Sequence, residues 1–307
     1  MALRIQREER KRNGLHSFLL LSGLFLLLCA IGLSAAGLSG ILWAVGIGIF
    51  LVAIGPKASP RLILQMFKAR PLAKTDAPIV HELLDLLAAR AQLPCDLKLY
   101  HIPSQGMNAF SVGACSEATI ALTDGLLRKL QPSELLAVMA HEISHIRNND
   151  MRVMALADMV SRLNSFFSSV GLLLLLFSLP LLLLGRMIIS LPLLLLLILA
   201  PFLSNLLQLG LSRTREYAAD LDAVALTGSP TALIRALEKM EVARVDSGMR
   251  RIFWTGGDRL LPSLFRSHPA TGKRIKRLKE IFAEHEEQPL PPFKNKAEIS
   301  PELRPSR

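Results

Sequence analysis

The chain has 307 residues, 51% of them hydrophobic, and its 36 Lys and Arg against 25 Asp and Glu give a formal net charge of +11. This composition excludes a disordered chain, a collagen-like chain and a small disulfide scaffold. Two classes remain: a nucleic-acid binder with a large core, and a membrane protein whose basic residues lie on one side of the bilayer.

The first uncharged stretch indicates the membrane class. Residues 13–56 contain no Asp, Glu, Lys or Arg. As one helix they would be about 66 Å long, whereas a bilayer core of about 30 Å needs only about 20 apolar residues. The length therefore predicts two transmembrane helices, near 17–34 and 38–55. The small residues Ser34–Gly37 are the expected break between them.

A second apolar region predicts another hairpin. Residues 163–185 and 187–212 contain no charged side chain, and we place this hairpin at 166–209. The alternative is a very apolar helical hairpin in a soluble core, which these lengths favour less. Arg186 lies between the two runs. We expect it at an interface, because a mid-bilayer arginine costs about 2.5–3.5 kcal/mol on insertion scales.

Basic residues predict the orientation. Lys and Arg flank the outer ends of both hairpins, whereas the turn at Ser34 has none and Arg186 stands alone. By the positive-inside rule, both termini and both large polar segments then face the cytoplasm. The lipid bilayer is the first predicted partner. Nucleic acid is not expected as a partner, because the basic residues flank apolar helices and no aromatic-basic recognition motif accompanies them.

The two hairpins divide the chain into six predicted segments. The polar side chains suited to catalysis lie in the two large cytoplasmic segments. In order, the segments are a basic cytoplasmic N-terminus (1–16), a transmembrane hairpin (17–55), a first cytoplasmic segment (56–165), a second hairpin (166–209), a second cytoplasmic segment (210–287) and a Pro-rich, disordered tail (288–307).

Sequence patterns predict mixed structure in the first cytoplasmic segment. A helix runs from about Ala77 to Leu93, with Thr75 or Asp76 as its N-cap. Pro132 and Ser133 open a long helix that continues to Asp150. Between these helices lie three predicted strands, at 95–102, 107–113 and 118–122, the last closed by Asp124 and Gly125.

The second cytoplasmic segment is predicted to be helical. A helix continues out of the membrane over 211–226 and ends at Gly228. Ser229 and Pro230 begin another helix, which extends to about Val245. An irregular stretch (246–267) and a last helix (about Pro269 to Glu287) follow.

The sequence His141-Glu142-Ile143-Ser144-His145 is the candidate for metal binding and catalysis. On a helix, residues i and i+4 share a face with their Cβ atoms about 5–6 Å apart, so both imidazoles can bind one metal ion. Glu142 is adjacent to the first histidine, and its carboxylate can reach a water at the metal without being a ligand. This HExxH pattern is typical of zinc hydrolases. The alternative is a polar face on a surface helix.

A third ligand is needed, because catalytic zinc takes three protein ligands and keeps one position open. The best candidate is Glu216 in SRTREYAAD, since Asp220 lies one turn later on the same face. Glu216 would bind the metal, and Asp220 would hold a ligating histidine. The alternative is an acidic pair that balances Arg213 and Arg215 on a solvated helix.

Four blocks occur in order along the chain: Asn108-Ala109-Phe110; His141 to His145 with Asn149-Asp150; Ser212-Arg213 with Glu216-Tyr217-Ala218-Ala219-Asp220; and His268-Pro269 with Arg274-Ile275. In these blocks, and in the order of its apolar segments, the chain resembles the HtpX-type integral-membrane zinc metalloproteases, relatives of the yeast CaaX prenyl endoproteases. The resemblance covers nearly the whole chain except the Pro-rich tail. The HExxH and SRxxEYxAD blocks carry most of its specificity.

The resemblance implies both a fold and a metal site. The fold would be mainly α, of the α+β class, with four transmembrane helices and a gluzincin-like zinc protease domain that carries a small β-sheet. One catalytic Zn²⁺ would be bound by His141, His145 and Glu216. Glu142 would be the general base.

Further roles follow from the chemistry and the resemblance. The oxyanion that forms during peptide hydrolysis needs a hydrogen-bond donor, and His268 is the candidate. The alternative for His268 is a helix-terminal residue before Pro269. Arg274 would help to position the site. The segment Asn108–Phe110 resembles a sheet edge that binds the substrate backbone as an added strand.

We therefore expect a zinc endopeptidase in the inner membrane of a bacterium, which cleaves membrane or misfolded proteins at the cytoplasmic face. A role in quality control under stress is implied by the resemblance. The alternatives are a CaaX-type prenyl peptidase, whose family has more spans around a large chamber, and a non-catalytic membrane scaffold, which would need no Glu142. Homo-oligomerisation and self-cleavage are left open.

Overall fold

The computed structural model describes residues 2–54, 60–93, 97–113, 118–177, 190–251 and 271–282, together with Leu184. The protein is mainly helical with one small mixed sheet, as the sequence predicts. Several predicted features lie outside the described residues, namely Arg186, His268, Pro269 and the tail from 288.

The elements alternate between long helices and short strands. The helices are α1 (Ala2–Ile54), α2 (Pro60–Met66), α3 (Pro78–Ala91), α4 (Asp124–Lys129), α5 (Pro132–Arg147), α6 (Asp150–Phe177), α7 (Leu191–Thr227), α8 (Pro230–Arg251) and α9 (Thr271–Phe282). The strands are β1 (Arg70–Pro71), β2 (Lys98–Ile102), β3 (Ala109–Val112) and β4 (Thr119–Thr123).

Helix α1 contains a sharp break. The backbone leaves helical geometry at Ala36 (φ −141°, ψ 18°) and at Gly37 (φ 61°, ψ −140°). A positive φ is readily adopted by glycine because it has no Cβ. The break lies within Ser34–Gly37, where the sequence predicts it.

The two arms of α1 fold back on each other. A Cβ atom on Gly40 would overlap the backbone carbonyl of Gly32, and one on Gly48 would lie 2.9 Å from Cε1 of Phe25. Residues so far apart in sequence meet only if the chain reverses direction between them. Glycine allows the close approach of the two backbones at Gly32 and Gly40.

In the part of the chain that the structure describes, three helices are long and apolar enough to cross a membrane: Asn13–Ala53, Asp150–Phe177 and Pro192–Thr227. They pack together through small and branched apolar side chains, which include Leu24, Ala157, Val160 and Leu211. Large apolar side chains such as Trp43 and Phe177 are about three-quarters exposed on the outside, at 74% and 75%. Such a surface suits lipid rather than water.

The sheet belongs to the polar part of the chain and has the strand order β1-β2-β4-β3. The two central strands β2 and β4 are parallel, and β1 and β3 pair antiparallel to them at the edges. One face of the sheet packs against α3 and α5, and the other is covered by α2. The edge strand β3 contacts α5, the helix that carries the HExxH sequence.

The start of α3 differs from the prediction. Its N-cap is Ala77, which makes no side-chain bond, and Pro78 follows. Proline suits this first position because it lacks the N–H that would otherwise need a partner. Thr75 and Asp76, the predicted caps, instead bond to each other, since Thr75 Oγ1 donates to Asp76 Oδ1 at 3.2 Å.

One further boundary is confirmed and another is corrected. β4 ends at Thr123, directly before Asp124 and Gly125, and these two residues open helix α4, whose N-cap Thr123 accepts a hydrogen bond from Leu126 N. In the second half, the predicted irregular stretch from Asp246 was wrong at its start, because α8 continues to Arg251.

The long helix predicted from Pro132 to Asp150 is two helices. Helix α5 ends at Arg147, and Asn149 has a φ of 52°, a left-handed conformation that asparagine tolerates. Asp150 then begins α6, where a carboxylate is stabilised by the helix dipole. The break returns the carboxylate of Asp150 to the end of α5.

Candidate metal centre

Helix α5 is buried along nearly its whole length. Every side chain from Glu134 to Ile146 is buried, and Leu136, Met139 and Ile143 anchor it in the main core. A capping box between Gln131 and Glu134 closes its first turn. Packing and capping together fix the rotation and register of the helix, and so the positions of its histidines.

Three candidate ligands converge between α5 and α7. His141 Nε2 and His145 Nε2 are 3.1 Å apart. Glu216 brings Oε2 to 3.4 Å from His141 Nε2 and Oε1 to 3.6 Å from His145 Nε2. Within the described part of the chain, these residues form the one group of His, Cys, Asp and Glu that could hold a metal ion, and their ligand atoms all lie within 4.8 Å of one another.

Each histidine contacts an aspartate through Nδ1, the ring nitrogen that does not face the other ligands. His141 Nδ1 lies 3.1 Å from Asp220 Oδ1, and His145 Nδ1 lies 2.7 Å from Asp150 Oδ2. With the proton on Nδ1, each imidazole donates to a carboxylate and leaves the Nε2 lone pair free for a metal. Asp220 therefore lies beside His141, and its role in holding that histidine stays a prediction.

Arg274 joins two of the acids. It donates to Asp220 through Nε at 2.8 Å and through Nη2 at 2.5 Å, and its Nη1 lies 3.0 Å from Glu216 Oε2. The planar guanidinium matches a carboxylate with two parallel bonds, which fixes geometry as well as charge. Arg274 therefore lies where it can position the site, on a helix far away in sequence.

The electrostatics of the site favour a cation. Burial and the nearby Arg274 lower the pKa of His141, but hydrogen bonds to Asp220 and Glu216 outweigh them and raise the pKa to about 9. The pKa of His145 is raised as well, since Asp150 and Glu216 outweigh burial. The acids around the two imidazoles therefore favour positive charge at this position.

A charge balance leads to the same conclusion. The site contains four carboxylates, one of which belongs to the candidate ligand Glu216, and two guanidinium groups. Together they leave an excess of two formal negative charges. The groups are Glu142, Asp150, Glu216 and Asp220 against Arg215 and Arg274. Two imidazole nitrogens, one carboxylate and this excess of charge fit a divalent metal ion.

Glu142, the predicted base, is buried on α5 beside His141. Its charge contributes to the raised pKa of Arg274, after the larger effects of Asp220 and Glu216. This places the Glu142 carboxylate in the electrostatic neighbourhood of the centre. His268, the predicted oxyanion donor, lies outside the described residues.

The predicted substrate strand lies at the edge of the sheet. Asn108 precedes β3, and its backbone N–H donates to Thr123 Oγ1 at 2.9 Å. Ala109 and Phe110 begin β3 itself. The Phe110 ring packs on Phe67, with ring centroids 4.8 Å apart. Phe110 thus faces the α2 side of the sheet, while Ala109 packs in the main core with α5.

Two supporting residues were missed at the sequence level. Asp150 follows the HExxH block as part of Asn149-Asp150, but a single long helix would carry it past His145. Arg215, whose Nη1 donates to Asp150 Oδ1 at 2.7 Å, could not be told from its neighbour Arg213. A predicted helix break at Asn149 would have placed Asp150 near His145. No local sequence feature distinguishes Arg215 from Arg213.

Comparison with known proteins identifies the family. Residues 74–282 match the sequence model of Peptidase family M48. The chain belongs to peptidase family M48. A "Protease HtpX homolog" of Nostoc punctiforme is 33% identical over 83% of this chain and 89% of its own length. One from Salinibacter ruber is 33% identical over 88% of this chain and 98% of its own length.

This M48 peptidase is also similar to a protein of known structure. A crystal structure of S. mikatae Ste24p matches 88% of this chain and 66% of its own chain, with a TM-score of 0.44 and 21% sequence identity. The M48 assignment and the HtpX homologues, together with the apolar helices, identify a membrane-bound metallopeptidase of bacterial type whose substrates are proteins. The scaffold alternative is therefore wrong.

Proposed function

We propose that this M48 peptidase is a zinc-dependent endopeptidase that cleaves membrane or misfolded proteins at the cytoplasmic face of the bacterial inner membrane. The observation that carries the proposal is the convergence of His141 Nε2, His145 Nε2 and the Glu216 carboxylate in a buried, negatively charged site. A set of two histidines and one glutamate is a known zinc-ligand combination of catalytic sites.

The proposed reaction uses residues of α5 and α7 in separate roles. Bound zinc would supply a Lewis acid that polarises the scissile carbonyl and lowers the pKa of water. Glu142 accepts a proton from the attacking water, whose oxygen bonds to the carbonyl carbon. Glu142 then donates that proton to the leaving nitrogen as the C–N bond breaks. His268 is the proposed donor to the oxyanion.

Supporting residues keep the ligands in place. Asp220 holds His141 through Nδ1, and Arg274 joins Asp220 to Glu216. This network spans α5, α7 and α9, so the ligand geometry does not depend on one helix alone. The short distances within it support the proposed roles, because such contacts orient metal ligands.

The substrate backbone would add to the edge of the sheet beside β3. In the described residues, β3 pairs with β4 along one edge, and it also contacts α5, the helix that carries two of the proposed ligands. Thr123 holds Asn108 through both its N–H and its carbonyl, which keeps this end of the strand fixed. Affinity would come mainly from main-chain hydrogen bonds, so we expect weak sequence preference.

The proposed topology has four spans, with both termini and the metal centre in the cytoplasm. The reversal of α1 at Ala36 and Gly37 supports two spans in its length, and α6 and α7 supply two more. Basic residues at the outer ends of the hairpins support the orientation. Reporter fusions after Lys57 and at the C-terminus should both report a cytoplasmic location; an external location for either would contradict the topology.

Cleavage tests the mechanism. Full-length protein in nanodiscs with Zn²⁺ should cut a designed membrane protein that carries an unfolded cytoplasmic loop. Glu142→Gln should reduce the rate by about 10²–10⁴-fold while zinc still binds. The matched control is Glu82→Gln on α3, because Glu82 is exposed. If Glu142→Gln cleaves as fast as wild type, the assignment of the base is wrong.

A further inference from the structure

The carboxylate of Asp150 joins two partners, one on each oxygen. Oδ2 lies 2.7 Å from His145 Nδ1, and Oδ1 accepts a hydrogen bond from Arg215 Nη1 at 2.7 Å. Both distances are at the short end for charge-assisted bonds. The side chains of Asp150, His145 and Arg215 are only 4%, 11% and 20% exposed, so water and salt screen these contacts little.

We propose that Arg215 is a positioning residue, which fixes the Asp150 carboxylate and, through it, the ring orientation and tautomer of His145. A carboxylate held at one oxygen can still rotate about its Cβ–Cγ bond, and the second contact removes that freedom. Asp150 also stands in the first turn of α6, where helices fray. The hydrogen bond from Arg215 on α7 anchors this end of α6.

The position of Arg215 in the chain adds to this role. It precedes Glu216 on α7, so one turn of α7 supplies both the third candidate ligand and the support of the second. A shift of α7 would therefore move Glu216 and loosen His145 together. The inference rests on the proposed zinc site and assigns a role within it.

Two other arginines, Arg274 and Arg213, can be compared with Arg215. Arg274 ion-pairs with Glu216 directly, whereas in the described residues Arg215 reaches a ligand through Asp150. Arg213 lies two residues earlier on the same helix and is exposed. Arg213 and Arg215 belong to the same sequence block and have the same type of side chain and the same charge, so Arg213 is the matched control.

Zinc affinity tests the proposal. Full-length protein carrying Glu142→Gln, which prevents self-cleavage, would be titrated with Zn²⁺ in nanodiscs against a fluorescent chelator. Changing Arg215 to Gln should weaken zinc binding by about tenfold, the lower range for residues that support metal ligands. Arg215→Lys should keep most of the affinity, because an ammonium can still donate to Asp150 Oδ1. Arg213→Gln should leave it unchanged.

A double-mutant cycle tests the route through Asp150. Asp150→Asn should weaken zinc binding by about 10–100-fold, and adding Arg215→Gln should then have no further effect. Additive losses would overturn the proposal. An Arg215→Gln protein with lower thermal stability but wild-type zinc affinity would also overturn it, since that is a structural role alone. If His145→Ala binds zinc as well as the parent, the zinc site itself is wrong.

Discussion

Two regions of this molecule differ in the polar side chains that they bury, namely the metal centre and the interior of the bundle formed by α1, α6 and α7. In the metal centre most of them are charged, and acids alternate with bases at 2.5–3.6 Å. In the bundle they are neutral. Asn164 Nδ2 donates to Ser204 Oγ at 3.0 Å, while Asn164 Oδ1 and Ser161 Oγ have no partner among the described residues.

The difference follows from the surroundings of each region. A charge inside hydrocarbon is expensive even on a helix, whereas a neutral amide or hydroxyl between helices contributes little either way. In the polar domain, opposite charges and hydrogen bonds compensate for burial, and the remaining negative charge is suited to a cation. The buried charges of the metal centre are therefore suited to binding a cation, whereas the buried neutral groups of the bundle are suited to helix packing.

Loss of a proposed ligand should have the largest effect on the metal centre. Glu216→Gln removes the one carboxylate among the three ligands and one unit of negative charge. We expect zinc affinity to fall by more than the roughly 100-fold that supporting residues reach, with no measurable peptide cleavage. Metal analysis of the purified protein checks this, with the exposed Glu238→Gln on α8 as control. A Glu216→Gln protein with one bound zinc would contradict the ligand assignment.

Removal of Arg274 should come next. The change to Ala leaves Asp220 and Glu216 buried without their cation, which typically costs about 3–5 kcal/mol. Zinc-free protein unfolded by denaturant in micelles, and followed by circular dichroism, measures the loss. Arg277→Ala on the same helix is the control. Arg277 lies over the Tyr217 ring, 4.5 Å from its centroid, a contact of about 0.5–1 kcal/mol. Equal losses for the two variants would mean that the buried network is not what Arg274 stabilises.

In the bundle, the close approach of the α1 arms should be the most sensitive point. Gly40→Ala places a methyl group against the carbonyl of Gly32, and such overpacking costs about 1–3 kcal/mol. Gly46→Ala is the matched control, because a Cβ at Gly46 has no atom within 4 Å among the described residues. Thermal unfolding in micelles compares them. Equal stability of the two variants would contradict the packing of the arms.

The smallest effect is expected at Asn164. Asn164→Ala removes a bond between α6 and α7, and such bonds in membrane bundles average about 0.6 kcal/mol, with a maximum near 1.7. We expect unfolding to change by that amount and peptide cleavage to stay near wild type. If the variant folds but no longer cleaves, neutral polar groups in the bundle carry function as well, and the distinction between the two regions fails.

The parts of the site that local spacing governs were predictable. His141 and His145 share a face because of the helix repeat, and Glu216 and Asp220 do so for the same reason. The reversal of α1 followed from length against bilayer thickness. What failed was the helix through Asn149: asparagine often ends a helix in the left-handed conformation, yet Asn149 was placed inside the helix, and its positive φ separates α5 from α6.

The sequence by itself determined the apolar helices long enough to cross a membrane and the HExxH motif, because both depend on periodicity and residue chemistry within single helices. The tertiary structure alone placed Asp150 and Arg215 beside the ligands and determined which acids Arg274 contacts. Asp150 reaches His145 through a turn, and Arg274 reaches Glu216 from a helix 58 positions later in the numbering. Arg215 differs from Arg213 only in the direction it faces. Such contacts depend on how helices pack against one another, and no local pattern records that packing.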